Sequence, residues 1–368
     1  MPSARQAALA VLALSALLVA GAVAVGLSWG TDSVRRGGIP DRVSDAPVNA
    51  SAISVEFTRT DNSTMLRYNS HDAVVFDDSA DAYHLLVHNS NRRRILLRSV
   101  EPELPTNASG WEPVELTVNG RNPGGSIDTA VEVNGTYYAY QDGQVYTSTT
   151  LAAEKWTHRS DSPPGQDHGV YYDTATGRFH LFYEAGDRED HSGLAIGHAT
   201  SPNGVTDWTV RPPVYNTSGR YKVGDFEVVE QDGVYFMFGD YTTDHPQYSV
   251  SVWANDDLYT NFTRVDTVMA PSGNDSATLD GYGIQDADVV RVGSDGRYVM
   301  FAHGHTGETG PRYLHTFTGR IRVGERALAS NDTTSAPNGT DDASGTDQPH
   351  DARRPGTRID GGPGDRPA

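Results

Sequence analysis

The chain has 368 residues, with 29 basic against 48 acidic side chains and a formal net charge of −19. That balance repels phosphate at long range, which excludes nucleic acid and anionic membrane surfaces as partners, and it fits the solvated acidic surface of a salt-adapted protein. Cysteine is absent, so a disulfide framework, a thiolate metal site and a thiol nucleophile are all excluded.

Residues 7–29 are apolar and uncharged and follow Arg5. The run is long enough for a membrane span and also resembles a long signal peptide, with Ala22-Val23-Ala24 as a cleavage site, so residues 1–29 read as signal peptide or membrane anchor. On either reading the rest of the chain is expected outside the cell or on its surface. Nine of the sixteen asparagines begin Asn-x-Ser/Thr, at positions 49, 62, 107, 134, 216, 261, 274, 331 and 338. A Ser/Thr content of roughly one sixth gives about three by chance, so the excess points to an N-glycosylated exterior protein. Residues 30–50 are polar and carry Gly and Pro, as a linker does. From residue 325 to 368 large apolar side chains are scarce, and such a segment cannot offset its ordering entropy. The folded domain is therefore placed at 51–324.

Within it one unit recurs: an Asp opens a short apolar run, a turn rich in Gly or Asp follows, and then a run rich in Tyr and Phe. The copies start at Asp72, Asp128, Asp167, Asp225 and Asp286, about 40 to 60 residues apart. Helical periodicity is weak throughout, and turn signals such as Asp232-Gly233 and Asn203-Gly204 separate the runs. Most units hold material for four strands, the fourth beginning with an aromatic at Trp111, Trp156, Trp208 and Phe262. The fifth unit lacks this strand, and Ile53-Ser54-Val55-Glu56-Phe57 is positioned to supply it and close the ring. The pattern predicts an all-β chain, a five-bladed β-propeller of four-stranded blades.

In a propeller the first strand of every blade lines the axial channel, so these five Asp residues converge on one mouth. Carboxylates so gathered need protons, cations or hydrogen bonds to offset their repulsion. The plainest role for each is to bond backbone amides where the turn meets the strand. That leaves Glu227 and Asp288 unexplained, two residues beyond Asp225 and Asp286 and so expected on the same strand face.

His71-Asp72-Ala73-Val74-Val75, followed by Tyr83-His84-Leu85-Leu86, resembles the His-Asp-Pro-Ser-Ile opening of the five-bladed propeller glycosidases of glycoside hydrolase family 43. The stretch Leu194 to Trp208 is also similar to a strand connection of that wider clan. The resemblance implies a carbohydrate substrate and an inverting hydrolysis by two carboxyl groups, one activating water and one protonating the leaving oxygen. By position Asp72 matches the base and Asp167, in Gln166-Asp167-His168-Gly169, the residue that tunes the acid. His71, Asp128 and Asp286 are then substrate-binding candidates at the same mouth. The acid falls in Val223-Gly224-Asp225-Phe226-Glu227, where spacing favours Asp225 and residue type favours Glu227. The family's usual small residue and Pro after the acid, and the Pro after the base, are missing here.

His303 and His305 resemble the place where the family puts a channel histidine near a cation, beside the plainer reading of a solvent-facing pair. No cofactor is required by the implied chemistry, although calcium in the channel would suit a carboxylate-rich site. The membrane is a partner through the N-terminal segment if that segment is uncleaved. The alternative to a glycosidase is a carbohydrate-binding or surface-structural propeller without turnover, because this fold hosts many functions.

Overall fold

A computed structural model describes residues 48–327 apart from 61–72, 78–80, 89–93, 101–102, 119–120, 123, 125–126, 142, 153–154, 162–164, 188–191, 218–221, 243–246, 272–280, 293–295, 308–311 and 326. After β1 (Ile53–Arg59), the chain forms β2 (Ala73–Asp77), β3 (Ala82–His88), β4 (Arg94–Ser99) and β5 (Trp111–Glu115). The next unit gives β6 (Thr129–Val133), β7 (Thr136–Gln141), β8 (Gln144–Ser148) and β9 (Thr157–Asp161). It is followed by β10 (Gln166–Asp173), β11 (Arg178–Asp187), β12 (Ser192–Ser201) and β13 (Thr209–Asn216). The fourth unit holds β14 (Lys222–Gln231), β15 (Val234–Thr242), β16 (Ser249–Asn255) and β17 (Thr263–Met269), and the last holds β18 (Gly283–Val292), β19 (Arg297–His305) and β20 (Arg312–Val323).

Four sheets are antiparallel in simple chain order, and the fifth runs β1-β20-β19-β18. The predicted closure is thus present: β1 pairs along β20 from Ile53 opposite Val323 to Arg59 opposite Phe317. The first strands β2, β6, β10, β14 and β18 adjoin one another in a ring and line an axial cavity of about 390 Å³. Joining the ring with a strand from the far end of the sequence removes the two free edges of an open array.

Five apolar clusters lie between the blades, one at each interface. The fourth-strand aromatics explain how each blade docks on the one before it. Trp111 meets Phe301 edge-on with ring centroids 5.9 Å apart, Trp208 meets Tyr140 at 6.1 Å, and Phe262 meets Phe182 at 6.2 Å. Trp156 is buried against Leu86 and Leu96 of the first blade. Large flat side chains at one repeated position bury much area on a neighbouring sheet, which is why the aromatic signal recurs with the repeat.

Closure also constrains one glycine. A methyl group on Gly319 would strike the Glu56 carbonyl oxygen and the Phe57 ring across the β1–β20 pair. Carbonyl and sheet cannot yield without parting the strands, so Gly319→Ala is expected to cost about 1–3 kcal/mol. The denaturation midpoint in chloride-matched urea checks this, and an unchanged midpoint would contradict it. Among the described residues no helix is long and apolar enough to cross a membrane, and residues 7–29 lie outside them.

Candidate active site

Three of the five unit-opening aspartates share one backbone device. Asp167, Asp225 and Asp286 have φ of 52°, 50° and 53°, in the left-handed region. At each the ladder slips by a residue: between Gln166 and Gly169, Gly224 and Glu227, and Gln285 and Asp288. These are β-bulges that leave two residues opposite one. Asp suits the first bulge position because a short polar side chain tolerates φ > 0 better than most. The repeated Asp is therefore partly a conformational requirement, on top of any chemistry.

The residue after each Asp faces the preceding blade. Phe226 lies against Gly169, whose missing side chain leaves room for the Phe226 backbone, and Ala287 packs in the cluster between the fourth and fifth blades. His168 in the third blade reaches Asp128 in the second, Nδ1 to Oδ2, at 2.9 Å with both side chains buried. Asp128 itself has no bulge, and its backbone N–H donates to the Tyr140 carbonyl at 2.8 Å. The structure thus separates Asp128, an inter-blade partner, from the other described aspartates.

At the mouth, carboxylate oxygens of Asp225, Asp240 and Asp286 all lie within 4.8 Å of one another. Asp240 Oδ1 accepts the Asp286 backbone N–H at 2.8 Å, tying the fourth blade to the bulge of the fifth. Asp286 also accepts from Gln285 Nε2 at 2.6 Å and from Arg312 Nη1 at 3.0 Å. On the third blade, Asp167 Oδ2 and Glu184 Oε2 both border Gly224, at 3.1 and 3.5 Å from where its Cβ would be. Tyr248 belongs to the same group: its phenol is raised first by burial and then by the charges of Asp240, Glu184, Asp225 and Asp286. Carboxylates from three blades therefore converge on one end of the channel, with one guanidinium at the edge.

Glu227 and Asp225 do not share surroundings, which corrects the expectation that both occupy one strand face. The bulge interrupts the period of two between them. Glu227 lines the axial cavity and accepts a hydrogen bond from Thr129 Oγ1 at 3.3 Å. Burial raises its carboxyl far above the ordinary range, to about 8, against a smaller opposing effect from Thr129. The folded state therefore binds this proton more tightly than the unfolded chain does. The resulting stability is present below the ordinary glutamate range and is lost as pH rises toward 8. Glu227→Gln keeps an acceptor for Thr129, so the variant is expected to match wild type near pH 4 and exceed it in melting temperature near pH 8 to 9. Parallel melting curves at all pH values would contradict it.

His303 and His305 are also corrected: instead of facing solvent they lie in β19, at 0% and 8% exposure. His303 Nδ1 stands 3.6 Å from Asp286 Oδ2. His305 is pulled down to about 4 by burial and then by the Arg312 charge. Asp288, just past the bulge, is buried opposite Phe301. Asp72 and His71 lie outside the described residues.

Sequence reasoning missed Glu184, Asp240, Tyr248, Arg312 and His168. A signal existed for two of them. Glu184, Asp240 and His303 occupy the same place in three blades, each opposite the residue before the bulge, and each follows an aromatic and a small or aromatic residue in the second strand.

No protein-family model and no curated protein matches the sequence. Solved structures do. A thermostable family-43 glycoside hydrolase superposes with a TM-score of 0.54 at 12% identity, covering 74% of this chain and 98% of that one. The catalytic domain of a Coprinopsis cinerea GH62 α-L-arabinofuranosidase gives 0.51 at 14% identity, covering 72% and 97%. An endo-arabinase from Bacteroides thetaiotaomicron gives 0.50 at 12% identity, covering 74% and 100%. At these identities the likeness establishes the fold, and the chain is a five-bladed β-propeller of the form seen in those glycoside hydrolases.

Proposed function

We propose that the protein is an exported glycosidase that hydrolyses a polysaccharide or oligosaccharide with inversion. The observation that carries this reading is the convergence of Asp167, Glu184, Asp225, Asp240 and Asp286 at one end of a propeller whose structural neighbours include glycoside hydrolases. Asp225 is assigned as the acid, because it stands at the mouth among other carboxylates while Glu227 lies within the channel. Three carboxylates within 4.8 Å of one another, with Arg312 and Gln285 bonded to Asp286, favour retention of a proton among them. Asp225 gives that proton to the leaving oxygen as the glycosidic C–O bond breaks. A water, deprotonated by the base assigned by resemblance to Asp72, forms the new bond from the opposite side. Asp167 and Glu184, flanking Gly224, supply negative charge beside the acid and help keep it protonated. The apolar N-terminal run supports export, and the charge of −19 supports a salt-rich setting.

The test is sugar release by the purified protein from arabinan, xylan, fructan and mannan in high salt, with the product anomer read by NMR. Release of the inverted anomer from at least one is expected. A folded protein that releases nothing from any of them overturns the reading. The second reading, a carbohydrate-binding propeller, is favoured by one observation: Asp225 is a methylene shorter than the Glu of the pattern it resembles. Retention on one of these polysaccharides without sugar release would select it.

Calcium is the other means of relieving the repulsion. The triad offers only oxygen donors, which suits a hard cation, and Asp225, Asp240 and Asp286 would hold it. A cation there would keep Asp225 ionised and stop it donating. Millimolar calcium is therefore expected to raise the melting temperature and lower the hydrolysis rate together, with EDTA reversing both. Activation by calcium would contradict the proton assignment.

A further inference from the structure

The sequons are not explained by the candidate site, and the topology gives them an order. Five of the nine fall on described residues: Asn49, Asn107, Asn134, Asn216 and Asn261. First strands start at the carboxylate mouth, so antiparallel pairing puts each first-to-second turn and each third-to-fourth connection at the opposite end. Asn134 and Gly135, with φ of 53° and 75°, form the β6–β7 turn. Asn107 lies between β4 and β5, and Asn261 between β16 and β17. Asn49 directly precedes the turn leading into β1, the fourth strand of the last blade. Four of the five described sequons therefore sit at the end away from the mouth. The remaining one, the exposed Asn216, ends the fourth strand of its blade and so lies at the mouth end.

Asn49, Asn134 and Asn261 are exposed, and Asn107 is half-buried. Two of the sequons also share a hydrogen-bond arrangement. Ser51 Oγ donates to Asn49 Oδ1 at 2.8 Å, and Ser109 Oγ donates to Asn107 Oδ1 at 2.5 Å. In each case the hydroxyl that defines the sequon already touches the carboxamide that would be modified.

We propose that Asn49, Asn107, Asn134 and Asn261 carry N-linked glycans, which sheathe the end of the propeller opposite the carboxylate mouth. The donor is a lipid-linked oligosaccharide phosphate. Asn Nδ2 loses a proton and bonds to the anomeric carbon, while the lipid phosphate or diphosphate leaves with the C–O electron pair. A glycan is large and hydrated, so it needs an exposed acceptor clear of any groove that takes substrate. The proposal rests on export of the chain and is independent of the glycosidase reading, since modification is read by mass and catalysis by sugar release.

The experiment is glycopeptide mass spectrometry on the full-length protein purified from the cells that naturally make it. Sugar additions on at least three of the four asparagines are expected, and additions on two or fewer overturn the proposal. Ser51→Ala, Ser109→Ala, Thr136→Ala and Thr263→Ala each remove a sequon while leaving its asparagine in place. Made in the same cells, at least three of these variants are expected to run faster on a denaturing gel by one glycan. Unchanged mobility in two or more would also overturn it.

Discussion

Asp225→Asn is expected to lower kcat by about 10²–10⁴ while leaving the fold intact, the range a positioned proton donor contributes. Asparagine is the informative replacement because Asp225 has φ 50° in a β-bulge, and Asn accepts that conformation as readily as Asp. The change replaces the protonated acid by a neutral amide that cannot give a proton to the leaving oxygen, and alters little else. Asp225→Ala would confound the measurement, since a left-handed alanine costs about 1–2 kcal/mol before any chemistry is considered. The paired control is Glu227→Gln, which lies in the channel wall against Thr129 and is expected to leave kcat within about threefold of wild type. If Glu227→Gln instead abolished turnover while Asp225→Asn spared it, the acid would be Glu227. Loss in both would point to two coupled carboxyls. A leaving group of low pKa supplies a further check, because such a substrate needs less protonation and should recover most of the Asp225→Asn rate.

The repeat made the architecture legible because each unit is a closed local problem: a hairpin, a turn and an aromatic that docks on its neighbour. Even the closing strand could be assigned, since Ile53 to Phe57 alternates as a strand and the fifth unit lacks its fourth strand. The site was less legible, for reasons of geometry. Reading Asp225 and Glu227 as one face assumed an unbroken period of two, and the bulge that breaks it depends on φ > 0 at a residue that also fits an ordinary strand start. Glu184 and Asp240 look like the polar ends of apolar strands, and only pairing across the ladder brings them beside the bulges. His303 and His305, set among Gly residues, read as a loop because their burial comes from neighbouring strands that the local sequence does not name. Asp128 was grouped with the other aspartates by position alone, and its partner His168 stands forty residues away.

That partner makes Asp128 the place where the largest loss of stability is expected. Asp128 and His168 are bonded at 2.9 Å between two blades, with side-chain exposures of 4% and 0%. Removing one member of such a buried hydrogen-bonded pair costs up to about 3 kcal/mol, because the other is left dehydrated without a partner. His168 is especially poorly placed to find another, since its Nε2 already has no hydrogen-bond partner. Asp128→Ala is therefore expected to lower the melting temperature by roughly 10 °C in a domain of this size. Asp128→Asn keeps an oxygen for Nδ1–H and should lose only about 1–2 kcal/mol. A cycle with His168→Ala and the double variant isolates the pair, with a coupling of at least about 1 kcal/mol expected. The same variants decide whether Asp128 also serves substrate, the role its position suggested. A purely inter-blade residue shifts melting and leaves the KM of the folded fraction alone, whereas a substrate ligand raises KM in Asp128→Asn even where stability is nearly kept. The burial of both side chains, and the bond that joins one blade to the next, favour the first outcome.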